Sequence, residues 1–227
     1  MKLNRLLILG LLLASAGIFS RPGFGSPARD EDFGAWNQSD VEGRWREHWK
    51  WRLGEDLRFR EHAGLYYYET HAGLQYQFSE WLAAGGEYLE VRQTRTLKGK
   101  DFWYWEERPR VYATLSQKMK GWSFDDRNML EFRFKQNAED TLRYRNQASV
   151  TAPWKWTRFE LQPYASDEIF IETSRNGLVE NRLYGGFKLR LWRQWRGSIF
   201  YLRQSQKNNA GSWKDLDILG TSLKLAL

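Results

Sequence analysis

The chain reads as an all-β protein: an antiparallel transmembrane β-barrel of about twelve strands. Three observations predict it. The first is alternation. In Arg44-Trp45-Arg46-Glu47-His48-Trp49-Lys50-Trp51-Arg52-Leu53 one phase is basic and the other largely aromatic, and a strand sends the two phases to opposite faces. The second is an N-terminal export signal. The third is Trp recurring at one of two alternating sets of connections. A soluble sheet turns its apolar face inward, whereas a membrane barrel turns it out against lipid. Most of the functional question lies between those two.

The first residues set the compartment. Met1-Lys2-Leu3-Asn4-Arg5 is a basic n-region, 6–13 is an apolar h-region too short to span a bilayer, and Ala14-Ser15-Ala16 fits an A-x-A cleavage site. Residues 1–16 are expected to be a signal peptide, 17–32 a periplasmic tether, and 33–227 the barrel. The chain holds no Cys, which excludes lipoprotein processing and any disulfide. It carries 13 Trp, 11 Tyr and 13 Phe in 227 residues, with a mean hydropathy of −0.72. No later segment approaches the ~18 apolar residues of a transmembrane helix. A membrane can then be crossed only by a closed barrel. The formal charge of +7 could suggest nucleic acid. Export argues against that, and so does the interleaving of Lys and Arg with Asp and Glu.

In chain order, strands are expected near 33–39, 44–53, 55–62, 66–78, 81–93, 102–116, 127–136, 141–151, 158–172, 180–192, 196–206 and 213–227. In 66–78 the outward phase is Tyr68, Thr70, Ala72, Leu74, Tyr76 and Phe78, opposite Glu69, His71, Gly73, Gln75 and Gln77. Strand 102–116 contains Pro109 and strand 158–172 contains Pro163; neither can donate to a ladder, so each needs a bulge or a strand end. In 127–136, Asn128, Leu130, Phe132 and Phe134 oppose Arg127, Met129, Glu131, Arg133 and Lys135. In 141–151, Leu142, Tyr144, Ala148 and Val150 oppose Arg143, Arg145, Gln147 and Ser149. In 180–192, Leu183, Phe187, Leu189 and Leu191 oppose Arg182, Tyr184, Lys188 and Arg190. Strand 196–206 is apolar on both phases. The last strand aligns Leu219, Thr221, Leu223, Leu225 and Leu227.

One set of connections is tight: Gly54, Ser79-Glu80, 118–126, 153–157 and Arg193-Gln194. Each has Trp in it or nearby, namely Trp51, Trp81, Trp122, Trp154 with Trp156, and Trp192 with Trp195. The other set, at 40–43, 61–65, 94–101, 136–140, 173–179 and 206–212, is polar and mostly longer. This predicts short periplasmic turns beside an aromatic girdle and longer outer loops. An even strand count would put both termini on the periplasmic side.

Turning the apolar phases outward lines the lumen with Arg58, Arg60, Glu69, Glu106, Arg108, Arg127, Glu131, Arg133, Arg143, Arg145, Glu168 and Arg182. Two readings stand. The set is either a constriction that selects anions or a salt-bridge network that fills a narrow barrel. The second must be nearly complete, because an unpaired buried charge costs several kcal/mol. For an enzyme only His48, His62 and His71 are available. Ser39 and Ser79 sit in no recognisable nucleophile context, and the three His lie on different strands, which disfavours a metal site. Glu106 and Glu131 could serve as an acid–base pair, although neighbouring Arg favours salt bridges.

These residues resemble an uncharacterised bacterial barrel family, domain of unknown function 2490, over about 33–227. Arg127-x-Met129-x-Glu131-x-Arg133 resembles its R-x-R-x-E-x-R strand, with Met for the second Arg. Arg143-Tyr144-Arg145 resembles its R-Y-R strand, Glu168-Ile169-Phe170 its E-x-F segment, and Asn181-Arg182-Leu183-Tyr184-Gly185-Gly186 its N-R-x-Y-x-G strand. Glu106-x-Arg108 resembles its E-x-R. The resemblance implies an outer-membrane barrel and no activity. The expectation is a monomeric outer-membrane protein without cofactor or metal. It would contact membrane lipid and lipopolysaccharide and be inserted by the barrel assembly machinery, its lumen structural or a narrow channel. A lipid- or lipopolysaccharide-modifying enzyme and a soluble periplasmic ligand-binding β-domain are the alternatives.

Overall fold

The computed structural model describes residues 33–60, 64–97, 100–175, 177–208 and 210–227. The expected signal peptide and tether, and His62, lie outside the described residues. The strands are β1 (Phe33–Arg44), β2 (Trp49–Arg60), β3 (Gly64–Gln77), β4 (Leu82–Leu97), β5 (Lys100–Glu107), β6 (Arg110–Met119), β7 (Trp122–Lys135), β8 (Thr141–Thr151), β9 (Gln162–Glu172), β10 (Gly177–Arg190), β11 (Trp195–Lys207) and β12 (Trp213–Ala226). Eleven close into a ring, and β5 is not a further stave of it but continues the line of β6. β5 pairs with the far half of β4 and meets β7 at Glu106 and Glu107. Glu90 faces Glu107 and Glu87 faces Arg110. β5 and β6 therefore hold one register on β4 across Arg108-Pro109, where Pro109 cannot donate to the ladder. Pro163 is the second residue of β9, at a strand end.

Three expectations are corrected. The alternation over 44–53 crosses a hairpin turn at 45–48, so Arg44 and Lys50 belong to paired strands. Residues 40–43 and Gly54 are not connections but sheet interior, with Asp40 directly opposite Gly54. A Cβ on Gly54 would stand 2.5 Å from Asp40 Oδ1 and 2.6 Å from His71 Nε2. The absence of a side chain lets this pair meet, so Gly54 is a packing glycine and not the turn its residue type suggests. Finally, the sheet is not wholly antiparallel. β1 closes on β12 in parallel, Phe33 facing Asp217 and Val41 facing Leu225. With eleven staves the first and last run the same way, so the start of β1 and the end of β12 lie at opposite ends.

Buried apolar side chains gather in two clusters inside the ring. One cluster joins Trp36, Phe200, Leu202 and Ile218, and a second joins Tyr67, Leu89 and Val91. The doubly apolar β11 has a definite phase: Phe200 and Leu202 are buried, while Ile199 and Tyr201 are about half exposed. Leu53, Leu74, Leu130, Phe132, Leu183 and Leu219 are likewise exposed. The outer face also carries a polar stripe whose members bond to one another. Asn146 Nδ2 donates to Asp126 (2.5 Å) and Asn128 (3.2 Å), and Asn181 Nδ2 donates to Asp167 (2.6 Å).

Candidate functional site: the charged lumen

Strand pleating brings alternate residues of neighbouring strands together on the inner wall, and registry sets who meets whom. The row Glu87–Arg110–Glu131–Arg143–Glu172 crosses β4, β6, β7, β8 and β9 by direct pairing. Charges alternate along it, so the ladder itself delivers ion pairs. Glu131 meets Arg143 in a short contact and Arg145 at 3.0 Å. Arg145 passes to Glu168 at 2.6 Å, which faces Arg182 at 3.7 Å, and Arg182 meets Glu180 at 2.6 Å.

A second chain begins at Arg108, 3.0 Å from Glu106. Glu106 also takes Arg133 at 2.5 Å, and Arg133 reaches Glu172 at 2.8 Å. The third centres on Glu87, which receives Arg110 in a short contact, Arg52 at 3.3 Å and Arg127 at 3.4 Å. Arg52 leads on to Asp40 at 3.4 Å and Asp40 to His71 at 2.9 Å. His71 Nδ1 lies 3.7 Å from Glu69, whose carboxylate accepts from Tyr67. Tyr67 accepts in turn from Arg108 at 3.1 Å, which joins the second and third chains.

Aromatic rings carry the remaining guanidinium surface. Arg58, paired with Asp56 at 3.0 Å, lies between Trp36 (3.8 Å) and Tyr67 (3.9 Å). Phe170 is surrounded by Arg143, Arg145 and Arg182, each guanidinium within 5.0 Å of its centroid. Val91, Glu106, Glu131, Phe170 and Leu202, from five different strands, have no exposed surface. A wetted pore past them would expose them, so this half of the lumen is filled.

Of the twelve lumen residues expected from sequence, ten meet in these chains, and Arg58 forms its own pair with Asp56 against the Tyr67 ring. Arg60 stands apart at the end of β2, its guanidinium 4.2 Å over Tyr66. Sequence reasoning missed five carboxylates, Asp40, Asp56, Glu87, Glu172 and Glu180, and two arginines, Arg52 and Arg110, and with them the near-balance of charge: the surplus of Arg in the expected set is largely neutralised. Glu106 and Glu131 are each held by two Arg rather than poised as an acid–base pair. His48 lies in the 45–48 turn, against Tyr76.

The other half of the lumen is an open vestibule of about 770 Å³. Its floor includes Trp36, Arg58, Glu168 and Phe200; its mouth includes Glu42, Lys155, Glu160, Arg190, Arg196 and Lys224. At the rim, outside the strands, Lys155 hydrogen-bonds Glu160 at 2.5 Å and holds that carboxyl below its ordinary range. Trp51, Trp81, Trp122, Trp154, Trp156, Trp192 and Trp195 all lie at this same end, with Trp45 and Trp49. Trp122, Trp154 and Trp156 pack in series at 5.4 and 6.4 Å. The opposite end has a smaller exposed set, Trp103, Trp105 and Trp213.

A family model described as "Protein of unknown function (DUF2490)" matches residues 33–215. No curated protein matches the chain.

Proposed function

The chain belongs to the DUF2490 family of proteins of unknown function, and from that premise we propose a structural outer-membrane β-barrel whose lumen is sealed by ion pairs. One observation carries the reading. The large apolar side chains of the ring stand exposed on its outer face while Arg and Glu are buried inside. Water would penalise that arrangement and a bilayer rewards it, since apolar burial is worth roughly 25 cal/mol per Å². Aromatic side chains gathered at both ends suit the two membrane interfaces. The filled half of the lumen favours the sealed barrel over the anion-selecting channel.

In this reading the chain is exported through its signal peptide, inserted as a monomer by the barrel assembly machinery, and surrounded by lipid and lipopolysaccharide. The enzyme alternative finds less support. The two ring nitrogens of His71 face Asp40 and Glu69, an arrangement that holds an ion rather than activates a hydroxyl.

Fractionation tests the proposal. The mature protein is expected in the outer membrane, resistant to carbonate and urea, and heat-modifiable on gels. Reconstituted in planar bilayers it should give no sustained conductance steps. Release into the periplasm would replace this reading with the soluble ligand-binding domain. Stable ohmic steps would replace the sealed lumen with a channel.

A further inference from the structure

The vestibule wall departs from the pairing found deeper in the barrel. Arg190 faces Arg196, and Arg196 faces Lys224, so three cations stand side by side on β10, β11 and β12. Like charges directly opposed across strands repel. One row further in, Lys188 faces Ser198, which faces Ser222. Counter-ions reach only part of this group. Glu160 takes Arg190 at 3.4 Å and Glu42 takes Lys224 at 3.4 Å. Among the described residues no carboxylate lies within ion-pair distance of Lys188 or Arg196. The Lys188 ammonium instead donates to Thr151 at 2.8 Å and stands 5.2 Å over the Tyr164 ring. The hydroxyls of Ser198 and Ser222, on the same row of the wall, are 2.7 Å apart.

We propose that Lys188, Arg196 and Lys224, with the hydroxyls of Ser198 and Ser222, form a binding site for a phosphate-type oxyanion on a small solute entering the vestibule. Three cations from adjacent strands line one wall of a cavity, the Lys188 ammonium turned toward β8 and that of Lys224 toward β1, with Arg196 between them. Hydroxyls supply directed donors, and Lys188, half-buried one row in from the mouth, is screened less by water than a cation on an open surface. A volume of about 770 Å³ exceeds what a bare ion needs and suits an ester of that ion. The inference rests on the open half of the lumen and is independent of the sealing of the other half.

The test is titration of the detergent-solubilised mature chain with inorganic phosphate, followed by calorimetry and by melting. Saturable binding is expected, with phosphate raising the melting temperature. Lys188→Gln and Arg196→Gln should each weaken binding about tenfold or more, the loss of one charge-assisted contact. Arg203→Gln, removing an outer-face cation paired with Asp215, should bind as the parent does. Without phosphate, Arg196→Gln should melt no lower than the parent, because it relieves repulsion. A merely structural Arg196 would make that variant less stable. Competition by phosphatidic acid in neutral bicelles would identify a lipid headgroup as the source, and competition by glycerol phosphate alone a soluble ester. Absence of saturable phosphate binding, or an affinity unchanged from the parent's in the Lys188 and Arg196 variants, overturns the proposal.

Discussion

Glu131 has no exposed surface and divides its carboxylate between Arg143 and Arg145. The two arginines do not depend on it equally. Arg145 keeps Glu168 as a second partner at 2.6 Å, whereas Glu131 is the carboxylate paired with Arg143 among the described residues. Glu131→Ala should therefore cost about 3–5 kcal/mol, the range for breaking a buried pair from one side. Glu168→Ala should cost less, because Arg145 retains Glu131 and Arg182 retains Glu180. Phe132→Leu, on the outer face, should change little. Melting of the three variants in detergent checks this order; equal loss for both Glu variants would contradict the pairing. Alternation made Glu131, Glu168 and most of their Arg partners legible in the sequence. Glu87 was not legible, and the reason is physical. β4 turns in Glu87 with Leu89 and Val91, while Tyr88, Glu90 and Arg92 lie on its other phase. In a filled lumen an inward position can be apolar, so polarity ceases to mark the inner face.

Individual strands follow the same logic. β10 and β11 approach closely where Phe200 lies across two glycines. A Cβ on Gly186 would fall 2.3 Å from the Ile199 carbonyl oxygen and 2.7 Å from Phe200 Cα, and one on Gly220 would strike the Phe200 ring. Adjacent Gly185 has nothing within 4 Å of its ideal Cβ. Gly186→Val should push backbone apart and cost at least about 1–3 kcal/mol, as overpacking does. Gly185→Val should be neutral or slightly stabilising, since a β-branched residue suits an open strand face. The folded fraction on refolding, read by heat-modifiability, separates the two; equal behaviour would refute the close approach. The sequence placed both glycines inside a strand without telling which one packed. At Gly54 and 40–43 it failed altogether. Asp40 and Glu42 look like loop residues because their strand has a charged inner face and small outer residues, Ser39, Val41 and Gly43. No apolar phase announces β1 there.

At the scale of the whole barrel, those local misreadings change a global property. Whether 40–43 and Gly54 are turns, and whether Pro109 ends a strand, decides the strand count, and the parity of the count decides at which ends β1 starts and β12 finishes. Eleven staves with β1 parallel to β12 put Phe33 at one end and Leu227 at the other. The proposed orientation turns the Trp-rich end, with Leu227, toward the periplasm, as short turns and girdle suggest. The chain has no Cys, so a single introduced thiol reports its own side. Phe33→Cys and Ser174→Cys lie at the end away from the vestibule mouth and should react with an impermeant maleimide on intact cells. Lys155→Cys and Leu227→Cys should react only after the outer membrane is opened. Reversal of all four would invert the barrel but keep its closure. Equal accessibility of Phe33→Cys and Leu227→Cys would be more damaging: it would put the start of β1 and the end of β12 on one side, require an even number of staves, and leave the parallel seam between β1 and β12 untenable.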